Sequence, residues 1–336
     1  MTAEPLLSVS DLRVRFRIGG VISALAGHRI EIEAVAGVGF TLERGQTFAL
    51  VGESGSGKTT LARAVNGLQP VAGGSIRFEG RELQDLPQAD WKPLRRKMSM
   101  MFQDPVGSLS PRLSVRSLLA EPFAIHGLSG RSLEAEVERL LAIVGLPKDF
   151  AERYPHQLSG GQARRVGVAR AVALDPDLII ADEPTAGLDV SVQGEVLNLL
   201  NDLRDRMGLS MLIITHNLHV VRQIADRMAV MYLGRFVEEG ETEAIFRAPH
   251  HPYTAALLSA NPEPDPDKVH NRIALPAEVP SLLDRPAGCE FHTRCPFAQD
   301  LCATSVPAPS VIGSSRLTCH FPLNTGLSAV ASNAAN

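Results

Sequence analysis

The sequence contains no apolar run near the roughly 18 residues that a bilayer-spanning helix needs. Its longest apolar candidates, residues 178–181 and 211–215, have the length of buried strands. The opening segment, MTAEPLLSVS, lacks a basic stretch followed by an apolar one, so no secretory signal is expected. Basic excess is missing as well. Lys and Arg number 33 against 37 Asp and Glu, and the net charge of −4 argues against a nucleic-acid binder. No segment repeats, so one chain is expected to supply one working unit. Cysteine is scarce and confined to the last fifth of the chain: Cys289, Cys295, Cys302 and Cys319. The expected place of action is the cytosol, or a membrane surface reached through a partner, where structural disulfides are disfavoured.

What is present is core-forming material in alternating order. Hydrophobic residues make up 44% of 336, enough for one large α/β domain with an added module. Residues 7–16 alternate as a strand does, and 38–42, 47–51 and 75–78 read as further strands, with turns at Glu43-Arg44-Gly45 and Gly73-Gly74. Residues 59–68, 133–144, 162–173, 190–204 and 218–225 have helical spacing. Residues 178–181 are apolar without alternation, as in a strand covered on both faces. This order predicts a parallel-sheet α/β core. From about Asn261 the chain turns Pro-rich and polar and reads as a linker or wrap, and the last residues, 326–336, read as a flexible tail.

Two motifs carry chemistry. Gly52-Glu53-Ser54-Gly55-Ser56-Gly57-Lys58-Thr59 fits G-x4-G-K-[ST] and lies between an apolar strand and a helix, the context that the motif requires. Glycines let the backbone N–H groups turn inward toward phosphate oxygens, and the following helix presents its positive end to the same anion. Lys58 is expected to reach the β- and γ-phosphates of ATP, Thr59 to ligate Mg²⁺, and Thr60 to lie beside them. The second motif is the strand 178–181 ending in Asp182-Glu183. Carboxylates at a buried strand end need a counter-charge, which a phosphate-bound Mg²⁺ supplies. Asp182 is the expected metal-side carboxylate and Glu183 the general base for water. The plainer readings are a glycine turn and a pair of helix caps; the two motifs together outweigh them.

Further segments resemble the ATPase subunits of ABC transporters over roughly residues 7–250. Leu158-Ser159-Gly160-Gly161-Gln162 resembles the family's signature, a second anion site at a helix start. Gln103 looks like the Q-loop glutamine that touches Mg²⁺ and water, and Leu188-Asp189 like the D-loop, although Ala186-Gly187 departs from the commoner Ser-Ala. His216 looks like the switch histidine at the γ-phosphate. Phe16 stands where the family stacks an aromatic on adenine; residues 17–33 read as an insertion that separates it from the phosphate loop, and a core role is the other reading. The resemblance implies a P-loop RecA-like core with an antiparallel β subdomain and a helical signature subdomain near 104–162, all within 1–260, followed by a Cys-containing extension over 261–325. It also implies a head-to-tail pair of cassettes, each signature closing over the other's ATP.

A narrower resemblance, to the oligopeptide/dipeptide importer branch that also moves nickel and glutathione, rests on Gln103-Asp104-Pro105, on Ser108-Leu109-Ser110-Pro111-Arg112 and on residues 251–258. Gly288-Cys289-x-Phe291-His292-x-Arg294-Cys295-Pro296 and Cys319-His320 complete it. It implies two permease subunits, a second ABC ATPase subunit with a heterodimer favoured, and indirectly an extracytoplasmic solute-binding protein. The protein would then work peripherally on the cytoplasmic face of the bacterial inner membrane. Spacing by itself says only that the four thiols could meet, since neither zinc-type C-x2–4-C pairs nor ferredoxin spacing is present. The resemblance implies a [4Fe–4S] cluster; zinc with His292 or His320, and four free thiols, stay open beside it. Competing functions are a soluble ABC ATPase and a non-hydrolysing regulatory subunit. The first usually has two cassettes in one chain, and the second would have lost catalytic residues that are present here.

Overall fold

A computed structural model describes residues 4–18, 30–102, 107–128, 132–261, 272–276 and 278–325. Gln103 and the Asp104-Pro105 pair, residues 262–271 of the linker and the tail at 326–336 lie outside the described residues.

The core is an eight-stranded sheet in the order β11-β12-β10-β9-β3-β8-β7-β6. Its parallel part comprises β3 (Thr47–Val51), β6 (Met98–Met101), β7 (Leu178–Asp182), β8 (Ser210–Thr215) and β9 (Arg227–Tyr232). Every residue of β3, β7 and β8 is buried, which is why these strands read as apolar runs without a polar face. β10 (Arg235–Glu241) then turns back antiparallel to β9. A hairpin of β11 (Ser310–Ile312) and β12 (Ser315–Leu317) adds to the edge of β10, so the C-terminal extension continues the core sheet.

A second, antiparallel sheet has the order β2-β1-β4-β5. It consists of β1 (Leu7–Ile18), β2 (Ile30–Leu42), β4 (Gly73–Phe78) and β5 (Arg81–Glu82). Its inner face packs on α1 (Lys58–Val65), on α2 (Trp91–Lys97) and on β3, with Phe40 stacked on Phe48 at 4.7 Å between ring centres. Three helices, α3 (Val115–Ile125), α4 (Leu133–Ile143) and α5 (Gly160–Ala171), pack together through Val115, Leu118, Leu119, Val137, Leu140 and Leu141, in a core continuous with Ile179 and Ala181 of β7 and Met211 and Ile213 of β8. α6 (Val190–Met207) crosses from β7 to β8, and α7 (Leu218–Ile224) from β8 to β9. α8 (Thr242–Arg247) and α9 (Pro252–Ser259) follow β10, and α10 (Asp300–Thr304) lies in the extension.

The structure corrects two local expectations and shows the form of a third segment. Residues 17, 18 and 30–33, at the two ends of the segment read as an insertion, pair as parts of β1 and β2, held by the cross-strand pairs Arg15–Glu33 (3.2 Å) and Arg17–Glu31 (3.0 Å). Gly73-Gly74 is not a turn but the start of β4; a Cβ on Gly74 would lie 2.2 Å from the Asp11 carbonyl oxygen, so the glycine permits close strand approach. α1 ends at Val65 rather than at 68, because the Leu68 N–H folds back to the Arg63 carbonyl at 2.8 Å.

Candidate active site

β3 delivers the chain into the loop 52–57, which turns too tightly for side chains at two of its glycines. Gly52 and Gly57 have φ of 153° and 104°, and a Cβ would come to 2.2 Å from Met231 O in the first case and 2.3 Å from Ala34 O in the second. Ser54 and Gly55 are exposed at the loop's tip, while Ser56 is buried and Gly57, Thr59 and Thr60 are half-buried. The buried Lys58 ammonium donates to Gly52 O and Glu53 O, each at 2.8 Å, and to Ser56 Oγ at 3.1 Å. Burial pushes its pKa down, and the charges of Glu183, Asp182 and Glu53 push it back up. One ammonium and three carboxylates therefore share the ends of β3 and β7.

At the end of β7, Asp182 is buried and accepts a hydrogen bond from the Thr59 hydroxyl, but its Oδ1 has no partner. Burial raises its pKa, and the Thr59 bond opposes that rise. An orphaned, buried carboxylate oxygen beside a hydroxyl is a hard-oxygen set of the kind Mg²⁺ takes, so these residues fit that ion. Glu183 follows with φ of 51°, its N–H bonded to Ile214 O at 2.8 Å. That turn aims the carboxylate at the end of β8. Oε2 accepts from Thr215 Oγ1 at 3.2 Å, and Oε1 accepts from the His216 N–H at 3.2 Å and lies 2.6 Å from His216 Nδ1. The His216 side chain is 70% exposed, so its other ring nitrogen faces outward. The chain thus brings Lys58, Thr59, Asp182, Glu183 and His216 together from three segments.

The signature residues are placed elsewhere. Ser159 caps α5: its hydroxyl accepts from the Gln162 N–H (3.3 Å), and Gln162 Oε1 accepts from the Ser159 N–H (3.0 Å). Ser159 and Gly160 are exposed, and Gly161 and Gln162 are half-buried. Among the described residues no hydrogen bond or ion pair joins 158–162 to this chain's phosphate loop. The helix start packs instead on the segment after Glu183: a Cβ at Gly161 would meet Val192 at 2.9 Å and one at Gly160 would meet Leu188 at 3.8 Å. Two residues beyond the motif, the buried Arg164 donates to Glu183 O (3.2 Å) and Ala186 O (2.6 Å). Asp189 is exposed at the start of α6, where its carbonyl accepts from the Gln193 N–H at 2.8 Å. Phe16 lies on the face of β1 that buries Leu12 and Val14, opposite Ile32, and is 37% exposed, so it is an overhanging ring and not a core residue.

Sequence reasoning passed over Arg164, the Glu53 carboxylate, Tyr253 and Arg294 as site residues. Glu53 N–H donates to Tyr253 Oη at 3.1 Å, and Arg294 forms a two-pronged pair with the Glu53 carboxylate. Tyr253 and Arg294 lie inside segments already singled out for their resemblance, which was the only signal available.

Cys302 is buried and the other three cysteines are half-buried, all as free thiols. Burial raises Cys289 and Cys295 and pushes Cys319 up to about 12, and Cys319 also feels the charges of the other three. Among the described residues, however, no group of three or more His, Cys, Asp or Glu side chains could hold a metal ion. His292 Nδ1 lies 2.9 Å from Cys289 O and His320 Nε2 lies 2.8 Å from Ser305 O, so both imidazoles are engaged with carbonyls. The expected [4Fe–4S] cluster and its zinc alternative therefore find no ready ligand group.

Comparison with known proteins agrees with this geometry. Residues 35–186 match the ABC transporter family model, and residues 237–302 match that of the oligopeptide/dipeptide transporter C-terminal region. A putative oligopeptide transport ATP-binding protein of Bacillus subtilis is 45% identical over 329 residues, covering 96% of this chain and 98% of that protein. A putative peptide import ATP-binding protein of Brucella abortus is 45% identical over 320 residues, 95% of this chain and 94% of that one. Among solved structures, a dimeric ATP-binding cassette in a post-hydrolysis state with ADP and phosphate is 26% identical, with a TM-score of 0.62 over 70% of this chain and 98% of that one. A cassette from Clostridium perfringens, part of an ABC transporter complex, is 26% identical, with a TM-score of 0.62 over 73% and 92%. With a nucleotide core and a C-terminal region that both match, and near-complete alignment to such relatives, the chain belongs to the ATP-binding subunits of ABC transporters, in the oligopeptide/dipeptide branch.

Proposed function

We propose that this chain hydrolyses Mg²⁺-ATP to drive import of peptides or related small solutes. The observation that carries the reading is the convergence of Lys58, Thr59, Asp182, Glu183 and His216 at the ends of β3, β7 and β8. The N–H groups of 52–57 and the start of α1 cradle the phosphates. Lys58 exchanges its three oxygen acceptors for β- and γ-phosphate oxygens. Thr59 and Asp182 would hold Mg²⁺, which neutralises charge developing on the phosphates. Glu183 accepts the proton of the attacking water, and His216, fixed by Glu183 Oε1, points its free nitrogen at the γ-phosphate. Gln103 is assigned to water and metal by the family resemblance, and Phe16 to adenine.

The exposure of Ser159 and Gly160 supports a signature that serves a second cassette's ATP, with Asp189 at the same junction. The dimeric solved relative supports that arrangement, and we favour a related second ATPase as the partner. No helix among the described residues is long and apolar enough to cross a membrane. The likeness to importer ATP-binding proteins supports two permease subunits as partners, and with them a solute-binding protein. We place the chain at the cytoplasmic face of the bacterial inner membrane. Co-purification in mild detergent tests this: two polytopic proteins and a second ATPase are expected. Recovery of the chain alone as an ATP-dependent soluble dimer would refute the importer reading.

For the cysteines, a [4Fe–4S] centre that ties down the extension rests on the family resemblance alone, since among the described residues no group of side chains stands ready to hold it. Iron and acid-labile sulfide assays on anaerobically purified protein test it, and absence of both leaves four free thiols.

A further inference from the structure

Glu53 puts a carboxylate into the second position of a loop that is built to receive polyphosphate. Left alone, that charge opposes the ligand and competes for Lys58, whose pKa already responds to it. The compensating charge comes from 241 residues away. Arg294 Nη1 lies 2.7 Å from Glu53 Oε2 and Nη2 lies 3.0 Å from Oε1, a fork-to-carboxylate geometry that a lysine cannot match. The Arg294 side chain is 6% exposed, so solvent screens the pair little on that side.

The extension that carries Arg294 is fastened next to it. Phe291 is fully buried, with ring centres 5.3 Å from both Tyr232 and Tyr253 and 5.6 Å from His251. The Arg294 guanidinium itself stands 5.9 Å from the Tyr232 ring centre. Tyr253 in turn accepts the Glu53 N–H, so both the backbone and the carboxylate of that loop residue are fixed from outside the loop. A second arginine of the extension, Arg285, donates to Leu233 O at 2.7 Å, and the neighbouring Gly234 N–H donates to Ser56 O at 2.9 Å.

We propose that Arg294 is a positioning residue for the nucleotide: it cancels the Glu53 charge and holds the loop's second residue, which makes the C-terminal extension part of the ATP site. The inference rests on the reading of residues 52–59 as the ATP-phosphate loop. It assigns the extension a direct part in nucleotide affinity.

The test is titration of the full chain with a fluorescent ATP analogue and Mg²⁺, together with steady-state ATPase. Arg294→Met is expected to weaken binding about tenfold, equivalent to one charged contact, and to raise KM for ATP with kcat within about twofold. The defect should grow at low salt. Glu53→Gln alone should shift affinity less than about threefold, and Glu53→Gln/Arg294→Met should return to near wild type, because the unpaired charge is gone. A merely structural role would make the double variant at least as weak as Arg294→Met, and that result overturns the proposal, as does unchanged affinity in Arg294→Met. If Arg294→Met does not fold, Arg294→Lys carries the same test: it should bind about threefold more weakly, and Glu53→Gln should suppress the loss. Lys58→Ala separates the two readings. Unaltered nucleotide binding there refutes the phosphate-loop assignment, whereas loss there beside normal Arg294 variants refutes only the present inference.

Discussion

Replacing Glu183 by Gln isolates the proton-accepting role from the structural one. The structure shows why the exchange is mild for the fold. A glutamine amide oxygen in the place of Oε1 still accepts from the His216 N–H, now at 3.2 Å. The amide nitrogen then stands where Oε2 does, 3.2 Å from Thr215 Oγ1. That hydroxyl already accepts from the Asn217 N–H at 3.0 Å and has a second lone pair, so it can turn from donor to acceptor. The hydrogen-bond number is preserved, and the cost is the charge assistance lost from the bonds to Thr215 Oγ1 and to His216, on the order of 1–2 kcal/mol. What disappears is the group that takes the proton of water. General-base assistance contributes about 10²–10⁴ in rate, or about 3–5 kcal/mol of barrier. Single-turnover and steady-state ATPase assays should therefore show hydrolysis at least a hundredfold slower, with ATP affinity within about threefold of wild type. An ATP-dependent dimer should accumulate on size-exclusion chromatography. Hydrolysis within fivefold of wild type, in a folded variant that binds ATP, would refute the assignment of Glu183 as base.

Three other perturbations have definite outcomes. Lys58→Ala removes the ammonium that three loop oxygens hold and should cost ATP affinity a hundredfold or so, roughly the 3 kcal/mol of a charge-assisted contact, as read by equilibrium titration. Gly57→Ala forces a Cβ into the Ala34 carbonyl at a φ of 104°; thermal unfolding should show a loss of about 2 kcal/mol or more, and an unchanged midpoint would contradict the strain argument. His251 is fully buried with its pKa lowered to about 3 by desolvation, against an ordinary 6.5, so the fold needs it neutral. Its contribution is complete above pH 6.5 and is lost as pH falls toward 3, about 2 kcal/mol of it by pH 5. His251→Asn keeps an acceptor for the Tyr253 N–H, now bonded to His251 Nδ1 at 3.0 Å, and should flatten that limb of a denaturant-measured stability profile.

Legibility in the sequence followed the range of the interactions involved. The phosphate loop could be read because its glycines answer constraints within eight residues, and β3, β7 and β8 because complete burial leaves an unbroken apolar run. The beginning of β2 was missed because Glu31 and Glu33 look like solvent residues until Arg17 and Arg15 stand opposite them. β4 was started late because a paired glycine signals a turn by propensity, while here it admits the Asp11 backbone. α9 carries Pro252 at its start and buries Pro252, Tyr253, Thr254, Ala255 and Ala256 in succession, so no amphipathic period marked it. Arg164 and Arg294 reach their partners 19 and 241 residues away, and no local pattern encodes such a partner.

The hairpin that the extension lays along β10 has a bearing on how this protein tolerates shortening. β12 covers Glu238 and Glu239 of β10 and leaves β11, with Ser310, Val311 and Ile312, as the outer rim. A chain cut after α9 would retain every motif by which a cassette is recognised, yet would present the unpaired edge of β10 to its neighbours. Such an edge is a template for strand-to-strand association. A tendency to self-associate in such a truncated cassette would then report the loss of a neighbouring strand, with the catalytic residues themselves intact.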